Sequence, residues 1–135
     1  MAKKFNFTVR VYYEDTDAGG VVYYANYLKF LERARSEMIY SLGLNNKQLL
    51  NNYNTFLIVR SCKIEFKKPA KFEDKLQIYS SVKSLNKASF IMIQKIKRNN
   101  ELISEAEVSL ATVNHNGRPI KIHQILKNIL YNLLN

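Results

Sequence analysis

The stretch "YYEDTDAGGVVYYANYLKFLERAR", Tyr12 to Arg35, runs out of a strand-like segment, through three acids and two glycines, and into an apolar helical pattern. From Ala25 to Leu42, residues Tyr27, Leu31, Ala34, Met38 and Leu42 recur at steps of three and four, with Leu28, Phe30 and Ile39 widening the stripe. This spacing predicts a long, largely buried helix, and Gly43 stands where a helix end favours a left-handed residue. Upstream, Phe5 to Glu14 is rich in Phe, Val and Tyr and reads as a strand that ends in turn chemistry at Asp15-Thr16-Asp17 and Gly19-Gly20.

Downstream, the polar Asn45 to Asn54 segment around Leu49 and Leu50 reads as a short helix or loop. Four strand-like runs follow: Phe56 to Phe66, Leu76 to Ser84, Ser89 to Arg98 and Leu102 to Val113. Pro69, Asn86, Asn99-Asn100 and Asn116-Gly117 bound them, so a four-strand antiparallel meander is expected. Ala106, Val108, Leu110 and Thr112 form one face of the last strand, with Glu105 and Glu107 on its wet face. After Pro119, Ile122, Ile125, Leu126, Ile129, Leu130, Leu133 and Leu134 repeat at helical spacing. One strand, one apolar helix and four more strands make an α+β layout in which a single sheet wraps a central helix. Residues 1–135 are expected to form one domain, and the edges of so small a sheet favour at least a dimer.

The composition narrows the chemistry. The chain has a formal charge of +10, with a dense basic run "KIEFKKPAKFEDK" from Lys63 to Lys75. That charge suits nucleic acid, a membrane surface or an anionic small molecule. No helix-turn-helix, zinc-finger or RNA-binding pattern accompanies it, which makes nucleic acid a minor reading. No run of about 18 apolar residues suggests a membrane span. With no signal-peptide pattern at the start, a cytoplasmic protein is expected. One cysteine, Cys62, and two histidines, His115 and His123, give no cluster at metal-ligand spacing, so no metal and no cofactor are expected. Cys62 reads as a buried thiol and both histidines as surface residues.

The turn itself carries the chemical content. A glycine loop feeding a helix offers unpaired backbone N–H groups and the positive end of the helix dipole, where a developing oxyanion can be held. A carboxylate just upstream, Asp17, can attack a carbonyl or activate water there. On the turn alone the competing reading is that Glu14, Asp15 and Asp17 cap the turn and the helix start.

"RVYYEDTDAGGVVYYANYLKFLERARSEM" (Arg10 to Met38), "VRSCKIEFKKPAKFEDKL" (Val59 to Leu76) and "SEAEV" (Ser104 to Val108) closely resemble the 4-hydroxybenzoyl-CoA thioesterase family. Within it, the YbgC-type acyl-CoA thioesterases associated with the bacterial Tol-Pal cluster look nearest. The resemblance covers most of the chain. It implies the hotdog fold and dimers with active sites at the subunit interface, often paired into homotetramers. It also implies a role near phospholipid and envelope metabolism. Asp17, the second aspartate of the D-x-D turn, falls on the family's catalytic carboxylate, and the Tyr24 backbone N–H falls on its carbonyl-polarising group. Many YbgC-type sequences have histidine where this chain has Tyr24, but a backbone N–H survives that exchange.

Tyr23 and Asn26 are weaker substrate-binding candidates, and Tyr27 is expected to be buried. Glu32 and Glu37 read as surface or salt-bridge residues. The reaction implied is hydrolysis of an acyl-CoA thioester, with Asp17 as nucleophile or general base. Arg60, Lys63, Lys67, Lys68 and Lys71 are the pool for CoA phosphate contacts, and an acyl-carrier protein is a second anionic partner. The alternative is a non-catalytic hotdog protein that binds acyl-CoA or acyl-carrier protein. A dehydratase is disfavoured because it needs a histidine on or near the helix.

Overall fold

The computed structural model describes residues 4–134. Strand β1 (Phe5–Arg10) is shorter than the expected Phe5 to Glu14. Its end is cut by local hydrogen bonding: Tyr13–Asp15 coil into a single 3-10 turn, and the buried Asp15 carboxylate accepts the Tyr12 N–H at 2.9 Å. Helices α1 (Tyr24–Tyr40) and α2 (Asn46–Tyr53) follow, then strands β2 (Phe56–Phe66), β3 (Lys75–Leu85), β4 (Ser89–Arg98) and β5 (Glu101–Val113), and helix α3 (Gln124–Asn132). The expected strand boundaries from β2 onward hold to within a residue.

All strand pairs are antiparallel, in the order β1-β3-β4-β5-β2. The meander is therefore three strands long, not four: β2 pairs with the far side of β5, while β3 pairs with β1. A tight turn at Asn99 and Asn100, with φ of 50° and 68°, joins β4 to β5, as a hairpin needing two left-handed residues should. On β5, Ala106, Val108, Leu110 and Thr112 are buried, whereas Glu105 and Glu107 sit on the wet face beside Lys95 and Lys83.

Helix α1 packs closest to β1 and β3. It buries Tyr27, Phe30, Leu31, Ala34, Met38 and Ile39. Leu42 and Leu28 are exposed, contrary to the expected stripe. Leu42 lies beyond the last helical turn, where Gly43 adopts φ +81°, and Leu28 lies on a face that no element of this chain covers. β2 ends the sheet order, so it has one neighbouring strand, and it is exposed along most of its length. Cys62 is accordingly exposed rather than buried. Helix α3 also packs near β3, burying Leu126, Ile129 and Leu130. His123 is its N-cap, with Nδ1 accepting the Ile125 N–H at 3.2 Å. Among the described residues no helix is long and apolar enough to cross a membrane.

The core depends on α1. Phe30 is fully buried and meets the Tyr27 ring edge-on at 6.3 Å. Phe30→Ala is expected to cost about 3–5 kcal/mol, since the surrounding sheet cannot collapse onto the void. Denaturant unfolding measures this, and a loss below about 1 kcal/mol would show that α1 does not anchor the core.

Candidate active site

The segment between β1 and α1 is folded by backbone bonds that its sequence makes available. Thr16 and Val22 form an antiparallel bridge, Asp17 N–H donates to Val21 O at 2.9 Å, and Gly20 N–H donates to Asp17 O at 3.0 Å. The chain thus doubles back within four residues, and Gly20 closes the turn at φ +80°, a conformation that a side chain would strain. Gly19 has a different reason: a Cβ there would stand 3.2 Å from Asp17 Oδ1. The glycine leaves room for the carboxylate and lets its own N–H donate to that oxygen at 2.8 Å.

The two acids of the D-x-D pair divide their labour. Asp15 is 5 % exposed and structural. Its carboxylate holds Tyr12, and its carbonyl accepts both the Tyr23 N–H (3.0 Å) and the buried Asn26 Nδ2 (2.8 Å). Asp17 is exposed, and its carboxylate accepts one hydrogen bond among the described residues, from Gly19 N–H to Oδ1. Its carboxylate is available to a ligand.

Asp15 also sets where α1 begins. By binding the Tyr23 N–H and the Asn26 side chain, it pins the residues on either side of the first helical position, Tyr24. Tyr23 is an N-cap without a side-chain cap bond. Asn26 N–H turns back to Tyr23 O at 2.8 Å, while the Tyr24 and Ala25 N–H groups have no acceptor among the described residues. Two unpaired donors at the positive end of a 17-residue helix form a ready anion or oxyanion site. Tyr24 is 64 % exposed, so that end is open to a ligand. The Tyr23 and Tyr24 rings lie 4.8 Å apart, and the hydrogen bond between their side chains holds the Tyr23 phenol above its ordinary range.

The connection from β2 to β3 forms the floor. Val22 N–H donates to Ala70 O at 2.8 Å, Ala70 N–H donates to the Tyr27 hydroxyl at 2.9 Å, and Phe72 N–H donates to Gly20 O at 3.3 Å. Tyr27 is buried, as expected, and fastens α1 to this floor. Phe72 stacks on Tyr13 at 3.9 Å.

The five basic candidates separate. Lys71 bridges to Val21 and stands beside the turn. Lys67 and Lys68 follow β2 and pair with Glu65 and Glu101, and the latter carboxyl is held below its usual range by Lys68 and Arg98. Arg60, at a bulge, and Lys63 lie mid-strand on β2. Arg60, Lys63 and Lys71 make no ion pair among the described residues. Glu32 and Glu37 are exposed on α1 without an ion pair among those residues, and His115 is exposed in a loop. The described residues hold no group of three or more potential metal ligands.

Two arrangements were not legible in the sequence. One is the role of Asp15 as the anchor of the helix start. The other is a polar network inside the sheet, where fully buried Gln94 donates to Leu31 O and Ser80 Oγ and accepts from Arg35 Nη1, each at 3.0 Å. A lone Gln in a strand gives no sign of either.

Residues 11–131 match the model of the thioesterase-like superfamily. The acyl-CoA thioesterase YbgC of Haemophilus influenzae is 41 % identical over 109 residues, covering 81 % of this chain and 80 % of that protein. The acyl-CoA thioesterase YbgC of Helicobacter pylori is 37 % identical over 131 residues, covering 90 % and 96 %. A probable thioesterase from Bartonella henselae superposes with a TM-score of 0.86 at 36 % identity, over 90 % of this chain and all of that one. With its sheet wrapped on α1, an open carboxylate in the turn and free N–H groups at the helix start, this chain belongs to the thioesterase-like superfamily of hotdog proteins, in its YbgC group.

Proposed function

We propose that this chain hydrolyses acyl-CoA thioesters to a free acid and CoA. The observation that carries the reading is the pairing of an exposed, half-engaged Asp17 carboxylate with the unpaired Tyr24 and Ala25 N–H groups at the start of α1. The thioester oxygen lies on the Tyr24 N–H, where charge developing on it is stabilised. Asp17 either attacks the carbonyl carbon, breaking the C–S bond so that CoA leaves as its thiol and a mixed anhydride remains for water to hydrolyse to the free acid, or takes a proton from a water that attacks that carbon and expels CoA directly. No cofactor enters the reaction. Tyr23 lines the entrance. Asn26 serves through the turn, since its amide is committed to Asp15.

CoA phosphates are met by basic side chains, and Lys71, Arg60 and Lys63 are better placed to do so than Lys67 and Lys68, which already carry acids. Acyl-carrier protein is a second anionic substrate carrier for the same surface. The long, exposed β2 edge, with Phe56, Ile58, Val59 and Phe66 open to solvent, supports a homodimer formed by pairing β2 with a second copy, and a dimer of dimers beyond it. The test is thiol release from acyl-CoAs running from short to long aliphatic chains plus hydroxybenzoyl-CoA. Turnover of at least one member is expected. Binding of acyl-CoA with no thiol release from any member selects the non-catalytic alternative.

A further inference from the structure

The floor beneath the Asp17 turn is held from behind by one side chain. Arg98, the last residue of β4, is half-buried. Its Nη1 donates to Pro69 O at 3.0 Å and to Asp74 Oδ2 at 2.7 Å, so a single nitrogen joins the two ends of the 69–74 loop. Its Nη2 donates to Glu101 Oε1 at 3.3 Å.

Asp74 closes the same loop from within. Its Oδ2 also accepts the Lys71 N–H at 2.8 Å, while its own N–H donates to Lys71 O at 3.0 Å. Between these bonds Glu73 takes φ 71°, a left-handed conformation that a glutamate keeps only where its surroundings impose it. Arg10 Nη1 adds a bond to Glu73 O at 3.1 Å, and Glu73 N–H donates to Val11 O at 2.9 Å. The loop's shape is therefore set by what grips it.

The Asp17 turn rests on that loop. Ala70 O accepts the Val22 N–H, Gly20 O accepts the Phe72 N–H, and Val21 bridges to Lys71. Val21 O in turn accepts the Asp17 N–H. On the other side, Ala70 N–H donates to the hydroxyl of Tyr27, in the first turn of α1. Arg98 thus connects, without touching either, to the carboxylate and to the helix start that must face each other across a thioester. Alignment of that kind is steep, and about 1 Å of displacement can cost roughly a hundredfold in rate.

Arg98 is also poorly suited to hold a CoA phosphate. Asp74 and Glu101 already balance its charge, and the hydrogen bond to Asp74, against the opposing pull of burial, holds the guanidinium above its ordinary range. A phosphate there would have to displace a carboxylate, whereas Arg60, Lys63 and Lys71 carry no such partner among the described residues.

Resting on the thioesterase reading above, we infer that Arg98 is a positioning residue for the hydrolysis: by clamping Pro69 and Asp74 it sets the Asp17 carboxylate against the Tyr24 N–H.

The test separates kcat from KM for Arg98→Met on the best acyl-CoA and on the matching acyl-pantetheine, which keeps the thiol arm and carries no phosphate. In a protein with the wild-type circular dichroism spectrum, kcat is expected to fall by about tenfold to a hundredfold. KM for the acyl-CoA changes little, and the acyl-pantetheine loses the same factor. Faster amide exchange at Asp17, Val22 and Phe72, with the β4 and β5 amides unchanged, is expected alongside. Asp74→Asn is the second variant, and it serves if Arg98→Met does not fold. It keeps an oxygen for the Lys71 N–H, loses the charge that holds Arg98, and is expected to show the same split in smaller measure. A loss confined to acyl-CoA and carried by KM overturns the inference and makes Arg98 a phosphate contact. Unchanged kcat in folded Arg98→Met, or in Asp74→Asn where Arg98→Met does not fold, also overturns it and leaves thioesterase activity standing. Absence of thiol release from every acyl-CoA by the wild type instead removes the thioesterase reading and this one with it.

Discussion

Tyr24→Pro is expected to lower kcat by about a hundred- to a thousandfold while the protein stays folded. Proline is well suited to the first position of a helix, where its fixed φ matches and its missing N–H is an orphan in any case. Tyr24 occupies that position in α1, and its N–H has no acceptor among the described residues, so folding loses no hydrogen bond. The residue before a proline must be extended, and Tyr23 already is, at φ −62° and ψ 132°. The substitution therefore removes one donor from the candidate oxyanion site and little else. Tyr24→Ala keeps the N–H and is expected to change kcat far less. Thiol-release kinetics on the two variants, with circular dichroism melts of both, check the contrast; equal losses would move the effect from the backbone to the phenol ring.

Asp17→Asn is expected to cost roughly a hundred- to ten-thousandfold in turnover, the range for removing an acid–base side chain, and almost nothing in stability. Asparagine keeps the oxygen that accepts from Gly19 N–H, and it is as good a turn residue as aspartate. The side chain is exposed, so no buried charge is disturbed. The change removes the carboxylate's charge and basicity and leaves its place in the turn. Asp15→Ala contrasts with this: it frees Tyr12 N–H beneath a buried position and is expected to weaken the whole segment. The paired variants separate the acid that builds the turn from the acid proposed to act in it.

Much of this was legible in the sequence because α1 and the strands carry strong local signals. The period of Tyr27, Leu31, Ala34 and Met38 gives the helix. The Asn99-Asn100 pair gives the β4–β5 hairpin, with both residues in the left-handed region it requires. Pairing order was not legible: β2 reads as one more strand in a meander, and its place beside β5 depends on where residues 67–74 are fastened under the turn, through Val22 and Ala70. Cys62 shows the same limit. Its apolar neighbours suggest a core strand, but β2 is an edge, and burial there depends on what α1 covers. Opposite Val108, the thiol still sits on the inward side of the sheet, where partial burial pushes it up against the opposing pull of Arg35. Within the site, the D-x-D motif pointed to Asp17 but carried no sign that Asp15 sets the helix start, because that role runs through its backbone carbonyl as well as its carboxylate.

The most direct measurement is thiol release from the best acyl-CoA substrate by the wild type and Asp17→Asn at saturating concentration, on preparations whose melting curves superpose. The expected result is turnover by the wild type and a fall of at least about a hundredfold in the variant. Equal turnover by the two proteins would contradict the assignment of hydrolysis to the Asp17 carboxylate at the start of α1.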